Sequence, residues 1–210
     1  MDTHILPVYT LADVLAAIQD AELSATKRRD MVSAVNRVAE IFELPPARIP
    51  VRIPELRKRL RVVMPSAHGI SRKTFSNLRA LFASALVLAG VAEPLGRGCA
   101  KRDSKWAALV EAVEDDKRMA NGLAAFANWC ASRGIAPGEV NDVAVAEFLA
   151  WLEASTLHPK PRDVARRVPN IWNEAGQSVE GWPQQQLARI SFKTPSQNLA
   201  WSDLDATFRA

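Results

Sequence analysis

The stretch from Ser71 to Gly90 constrains the fold most, because it carries a burial pattern and a presentation pattern on one predicted helix. Phe75, Leu78, Leu81, Phe82, Ala85, Leu88 and Ala89 recur at three- and four-residue steps. At about 100° per residue they form one apolar stripe facing a core. Ser71 is placed to cap the start, and Gly90 to close the end, since glycine tolerates the left-handed backbone that terminates a helix. The opposite face carries Arg72, Ser76, Arg79 and Ala83 in a narrow strip. Two long cations separated by small side chains let a phosphate strand approach closely. The plain alternative is a solvated helix face.

The chain around this helix is read the same way. Thr10 with Asp13 forms a capping pattern for a helix to about Glu22, and Ser24 opens a longer helix to about Leu44, burying Met31, Val35, Val38 and Phe42. Pro45 and Pro46 stop it. A third helix is predicted from Ile53 to Val63, with Pro54 in its first turn and Leu56, Leu60 and Val63 inward. A glycine-containing basic segment, residues 96–103, reads as a linker after a first domain spanning 1–95. A second helical domain is expected over 104–182. Ser104 caps its first helix, to about Val113, and a long helix follows from Asp116 to Arg133, burying Met119, Leu123, Phe126 and Cys130. Asn141 caps the next, with Val145, Phe148, Leu149 and Leu152 inward, and the last runs from Pro161 to about Gly176. Residues 183–210 read as an extended connector and the start of a further helix at Ser202, as if the chain were cut at the entrance to another domain.

The second series repeats the first at a period of about 90 residues. Met31 and Phe42 align with Met119 and Cys130, Leu60 with Leu152, Ser71 and Arg72 with Pro161 and Arg162, and Leu81 and Phe82 with Ile171 and Trp172. The expected fold is therefore all-α, two similar four-helix bundles in tandem. The fourth helix of each copy begins with basic residues: Arg72 and Lys73 in one, Arg162, Arg166 and Arg167 in the other. Cations there oppose the helix dipole, a placement that a bound phosphate would offset.

Charge is distributed unevenly. Residues 48–79 hold nine arginines and lysines against Glu55 alone, whereas residues 103–153 hold nine acids against four bases. Such asymmetry fits a polyanion footprint on one part of the molecule. It also fits a helical protein–protein adaptor, in which the basic first half docks on the acidic second half of a neighbouring copy.

Other function classes find little footing. No apolar run approaches membrane-span length and the first residues lack the form of a signal peptide, so a cytoplasmic protein is expected. Cys99 and Cys130 lie in no metal-ligand spacing and read as free thiols. Gly96-Arg97-Gly98 is too short for a dinucleotide loop, no Walker-type Gly-Lys-Ser/Thr occurs, and Glu114-Asp115-Asp116 lacks a partnering histidine. Neither metal nor cofactor is expected.

Three segments carry a resemblance: residues 71–79, Arg162 to Val168 with Trp172 and Asn173, and residues 199–209. Together they resemble the amino-terminal part of a tyrosine recombinase of the phage-integrase type. In that family a small helical SAM-like module, the core-binding domain, clamps one side of the DNA while a carboxy-terminal domain cuts it. The resemblance implies duplex DNA as partner, with homo-oligomers on the DNA as a further expectation and nucleoid association when bound. The expected DNA-binding residues are Arg57, Lys58, Arg61, Arg72, Lys73, Ser76, Arg79, Arg162, Arg166 and Arg167. The family's chemistry does not carry over. None of His4, His68 and His158 has an arginine three residues on, and Tyr9, the one tyrosine, lies in the leader. The chain is expected to bind DNA without cutting it.

Overall fold

The computed structural model describes residues 10–94 and 96–192. The extended leader expected at Ile5 to Tyr9, and the helix expected at Ser202, lie outside the described residues. Within them the chain is all-α, with nine helices and three short 3-10 turns. The helices are α1 (Leu11–Asp20), α2 (Ala25–Ile41), α3 (Ile53–Val62), α4 (Arg72–Leu88), α5 (Cys99–Arg102), α6 (Ser104–Ala112), α7 (Lys117–Ser132), α8 (Asp142–Ser155) and α9 (Pro161–Ser178).

Local chemistry sets most of these boundaries. Asp13 accepts from both the backbone N–H and the hydroxyl of Thr10 at 2.9 Å, closing the start of α1. Ser24 accepts from the Lys27 N–H at 3.3 Å, Ser71 from the Thr74 N–H at 3.0 Å, and Asn141 from the Ala144 N–H at 3.0 Å. Each satisfies a donor that the first turn of a helix leaves without a partner. Gly90 adopts φ of 72° beyond α4, and Val91 N–H returns to the Leu86 carbonyl at 2.9 Å. The cap of α6 differs from expectation: Asp103, not Ser104, accepts from the Lys105 and Trp106 N–H groups, at 2.9 and 3.1 Å. An ionised carboxylate is the stronger acceptor at a helix start.

The buried apolar residues gather into two clusters. One holds Leu11, Val14, Ile18, Val35, Val38, Leu56, Leu60 and Phe82; the other holds Trp106, Leu123, Phe126, Phe148, Leu152, Val168 and Trp172. The expected inward face of α4 is found except at its end, where Leu88 is exposed and Leu86 is fully buried. The second cluster is aromatic. Trp172 meets Trp182 at 5.1 Å and Trp106 at 6.2 Å between ring centroids, and Phe126 meets Phe148 at 5.2 Å, all edge-on, the arrangement that ring quadrupoles favour. In α7 Gly122 lets α9 approach, because a Cβ at that position would lie 2.1 Å from Ile171 Cδ1.

Three segments sit differently from their sequence reading. The linker is not free: it forms α5, which packs on α6 and α7 and buries Ala100. Residues 183–192 carry no helix or strand, as expected of an extended connector, but they are packed down, with Leu187 buried in the second cluster. Its carbonyl and N–H both pair with the Asn173 amide at 2.8 Å, and Ala188 N–H pairs with Asp142 at 2.7 Å. Leu157, read as part of the second domain, has its side chain in the first cluster. Helix lengths run in similar order in the two halves, with a 3-10 turn after each long helix (Pro46–Arg48 and Pro137–Glu139) and close packing of α2 on α4 and of α7 on α9. The third helices part company: α8 packs along α9, whereas α3 packs more closely on α8 than on α4.

Two outcomes follow from this packing. Trp172→Ala removes a fully buried ring that touches three other aromatics, and should lower unfolding stability in urea by about 3–5 kcal/mol. Burial pushes the Cys130 thiol up to about 12. Iodoacetamide should therefore modify the partly exposed Cys99 in the native protein and reach Cys130 only on unfolding, which mass spectrometry of the native and urea-treated chain would read directly.

Candidate nucleic-acid interface

Helix α8 ends at Ser155 without the left-handed glycine that would close it; Thr156, Leu157, His158 and Pro159 follow. Its last carbonyls need other donors. The first half of the chain supplies them. The Arg57 guanidinium, from α3, donates through Nη2 to the carbonyls of Leu152 at 3.0 Å, Glu153 at 2.6 Å and Thr156 at 2.6 Å. Its Nε adds a bond to Thr156 at 3.2 Å. The Ser155 carbonyl accepts from the Glu93 N–H at 3.2 Å, and the Thr156 hydroxyl turns back to the Leu152 carbonyl at 2.9 Å. A cation at the carboxyl end of a helix is also favoured by the helix dipole.

One turn further, Arg79 from α4 donates to the Leu157 carbonyl at 2.9 Å, beside the buried Leu157 side chain. A second seam contact lies at Glu93, whose carboxylate accepts from Arg133 at 2.7 Å and from the Trp151 indole N–H at 2.8 Å. Arg133 lies over the Trp129 ring at 4.7 Å and the Trp151 ring at 5.4 Å, within cation–π range.

Arg57 and Arg79, both expected on a DNA-facing surface, are drawn into the seam between the halves. Both are half-buried and committed to backbone carbonyls of residues 152–157. Burial lowers both guanidiniums from their ordinary value, opposed at Arg57 by the Glu153 carboxylate; arginine nonetheless stays charged. The basic strip on α4 is open at Arg72, Lys73 and Ser76 and closes against the second half at Arg79.

The remaining expected residues divide by partner. Arg162 pairs with Glu153 at 2.9 Å and lies over the Phe192 ring at 5.4 Å, and Arg166 pairs with Asp163 at 3.2 Å. Lys58, Arg61, Arg72, Lys73 and Arg167 are exposed and make no side-chain hydrogen bond or ion pair among the described residues. Elsewhere in the basic stretch, Arg59 stacks on Phe42 at 3.9 Å and Arg52 pairs with Glu55 at 3.2 Å.

Two helix registers tie the free cations to the seam. Arg61 lies one turn along α3 from Arg57, and Arg72 lies about 10 Å from Arg79 along α4 at about 1.5 Å per residue. His158, not singled out as a binding residue in the sequence, occupies the middle. Its Nδ1 accepts the Lys160 N–H at 3.2 Å, and its own N–H bonds the Thr156 hydroxyl at 3.3 Å. Burial first, then the charges of Arg79, Arg57 and Arg167, hold its imidazole below the ordinary histidine value. The signal that could have pointed here is the missing glycine after α8, which left a helix end in need of donors from elsewhere.

Among the described residues, no group of three or more His, Cys, Asp and Glu side chains is placed to hold a metal ion, and no helix is long and apolar enough to cross a membrane. No family model, curated protein or solved structure matches the chain.

Arg57→Ala should remove the guanidinium from the carbonyls of Glu153 and Thr156, leave Leu152 with the Thr156 hydroxyl, and cost about 1–3 kcal/mol in urea unfolding. Hydrogen exchange should rise at residues 152–160 before it rises in either core. Arg57→Lys should recover little, since a single ammonium cannot reproduce the planar fork. Unchanged exchange in Arg57→Ala would show that the halves hold their arrangement without it.

Proposed function

We propose that this chain is a DNA-binding region of the recombinase or integrase type, two related helical modules that grip duplex backbone without cutting it. The observation that carries the reading is the set of unpaired, exposed cations, Lys58, Arg61, Arg72 and Lys73, on the two helices from which Arg57 and Arg79 reach the seam. Unpaired cations are those able to replace counterions on phosphate at little cost, because they break no internal bond to do so. Arg167 extends the set to the second half.

The halves are read as copies of one module on their order of helices, the 3-10 turn after each long helix, and the equivalent packing of α2 on α4 and α7 on α9. The resemblance to the recombinase family's amino-terminal region supports the same partner. Backbone gripping, rather than base reading, suits side chains that are long, cationic and flexible.

The test is a titration of random duplex at several salt concentrations. Each phosphate contact contributes about 0.9 to the slope of log affinity against log salt, so Lys58→Ala with Arg61→Ala should reduce the slope by about two. Both side chains are exposed and unpaired, and the double variant should melt like the parent. Arg79→Ala is a poorer probe, because it also removes the bond to Leu157. A double variant with unchanged slope would remove α3 from the interface. A parent chain that ignores duplex but self-associates in low salt would favour the adaptor reading instead.

A further inference from the structure

We propose that Val62 and Met64, at the tip between α3 and α4, form an apolar wedge that enters a base step of the bound duplex and bends it. This deepens the DNA-binding reading and rests on it.

Val62 and Met64 are the two most exposed large apolar side chains among the described residues, at 73% and 69%. Exposed hydrophobics scattered singly are ordinary on a protein surface. Here two stand within three positions, while Val63 between them packs on the first cluster. Helical period sets the direction of Val62. At about 100° per residue it lies roughly 160° around α3 from buried Leu60 and roughly 140° from Arg57, so it faces away from both the first core and the seam. The same period puts Lys58 on its face one turn back, with Arg61 beside it.

The tip is held on a fixed turn. Val63 and Ile70 pack on the first cluster at either end of it. Between them lies the 3-10 turn Pro65–His68, closed by the Ala67 N–H on the Met64 carbonyl at 3.0 Å and the Ile70 N–H on the Pro65 carbonyl at 3.2 Å. Arg37, from α2, donates to the His68 carbonyl at 2.8 Å, and Gly69 takes the left-handed backbone, φ 67°, on the way into α4. Pro65 confines Met64 to extended backbone, and its φ of −94° and ψ of 106° agree. A backbone already fixed has little freedom left to lose on binding.

The charges on either side of the tip point to its partner. Lys58 and Arg61 lie on α3 before it, and Arg72 and Lys73 open α4 after it, all exposed and without a side-chain bond among the described residues. Apolar side chains flanked by free cations fit a duplex. The cations take phosphates near a base step, and the apolar group fills the space when that step unstacks. An anionic lipid surface offers the same charge, but attachment there takes the broad apolar face of an amphipathic helix, and two aliphatic side chains supply too little area. One or two such side chains are enough to kink a base step.

The experiment uses two duplexes of about 30 bp with the same composition and charge: alternating TA, whose pyrimidine–purine steps kink readily, and an A-tract, which is stiff. Affinity and salt slope are measured on both, and energy transfer between the duplex ends reads the bend. The parent should bind alternating TA about three- to tenfold more tightly than the A-tract and shorten its end-to-end distance. Val62→Ser with Met64→Ser changes only exposed side chains, so it should melt like the parent and keep the salt slope while losing both the preference and the bend. Val62→Ile with Met64→Leu keeps the apolar bulk and should retain both. A parent that binds with its salt slope but leaves alternating TA straight overturns the wedge and leaves the DNA reading standing, as does a serine variant that bends DNA like the parent. A parent that binds neither duplex removes the DNA reading and the wedge together. Binding to phosphatidylglycerol vesicles, or self-association, that the serine variant loses in a chain that ignores duplex assigns the tip to lipid or to a second copy, and overturns the wedge.

Discussion

The arrangement of the molecule depends on one guanidinium. Helix α8 lacks a left-handed glycine at its carboxyl end, and Arg57 donates to three of the carbonyls at that end and just beyond it. Hydrogen bonds from a charged donor contribute about 1.5–3 kcal/mol each, and an unpaired buried carbonyl costs a comparable amount. The bond is therefore worth making only if α3 lies against α8, which fixes how the two apolar clusters are set side by side. The same contact draws the chain after α8 over α4, sends the Leu157 side chain into the first cluster, and leaves His158 between arginines of both halves.

This clamp also changes what the charge of the chain means. Nine cations in one stretch look like a single footprint, yet they divide into three kinds. Arg57 and Arg79 hold backbone carbonyls across the seam, Arg52 and Arg59 serve Glu55 and Phe42 close by, and Arg48, Lys58, Arg61, Arg72 and Lys73 make no side-chain bond among the described residues. The pairs among exposed residues, such as Arg166 with Asp163, contribute little to stability, because water screens them and two long side chains lose freedom. Their effect is rather to remove Arg162 and Arg166 from the pool of cations able to meet phosphate without breaking a bond.

The two clusters are unlike in content. The first is built mainly from aliphatic side chains around Phe82, the second from interlocked tryptophans and phenylalanines. Larger rings fill more space per residue, and the second half recruits α5 and the strap at Leu187 to cover them. The first cluster instead takes in Leu157 from beyond α8, and its third helix lies in the seam.

Helix type, most boundaries and the buried faces were legible in the sequence, because they depend on neighbours within a turn or two. Ser71, Asn141 and Gly90 act through bonds spanning three to five residues, and Phe75, Leu78 and Phe82 share a face by helical period alone. The all-α class followed from that. The free cations of the candidate site, Lys58, Arg61, Arg72 and Lys73, were legible too, as basic residues on the faces away from the core. What only the tertiary structure decided was which cations remain free, that Ala100 and Leu187 belong to the second core, and that Leu157 belongs to the first. Those outcomes turn on Arg57 and Arg79 reaching carbonyls 78 to 99 residues away. Every residue has a carbonyl, so the acceptor carries no side-chain signature, and only the packing of α3 on α8 brings those particular ones within reach.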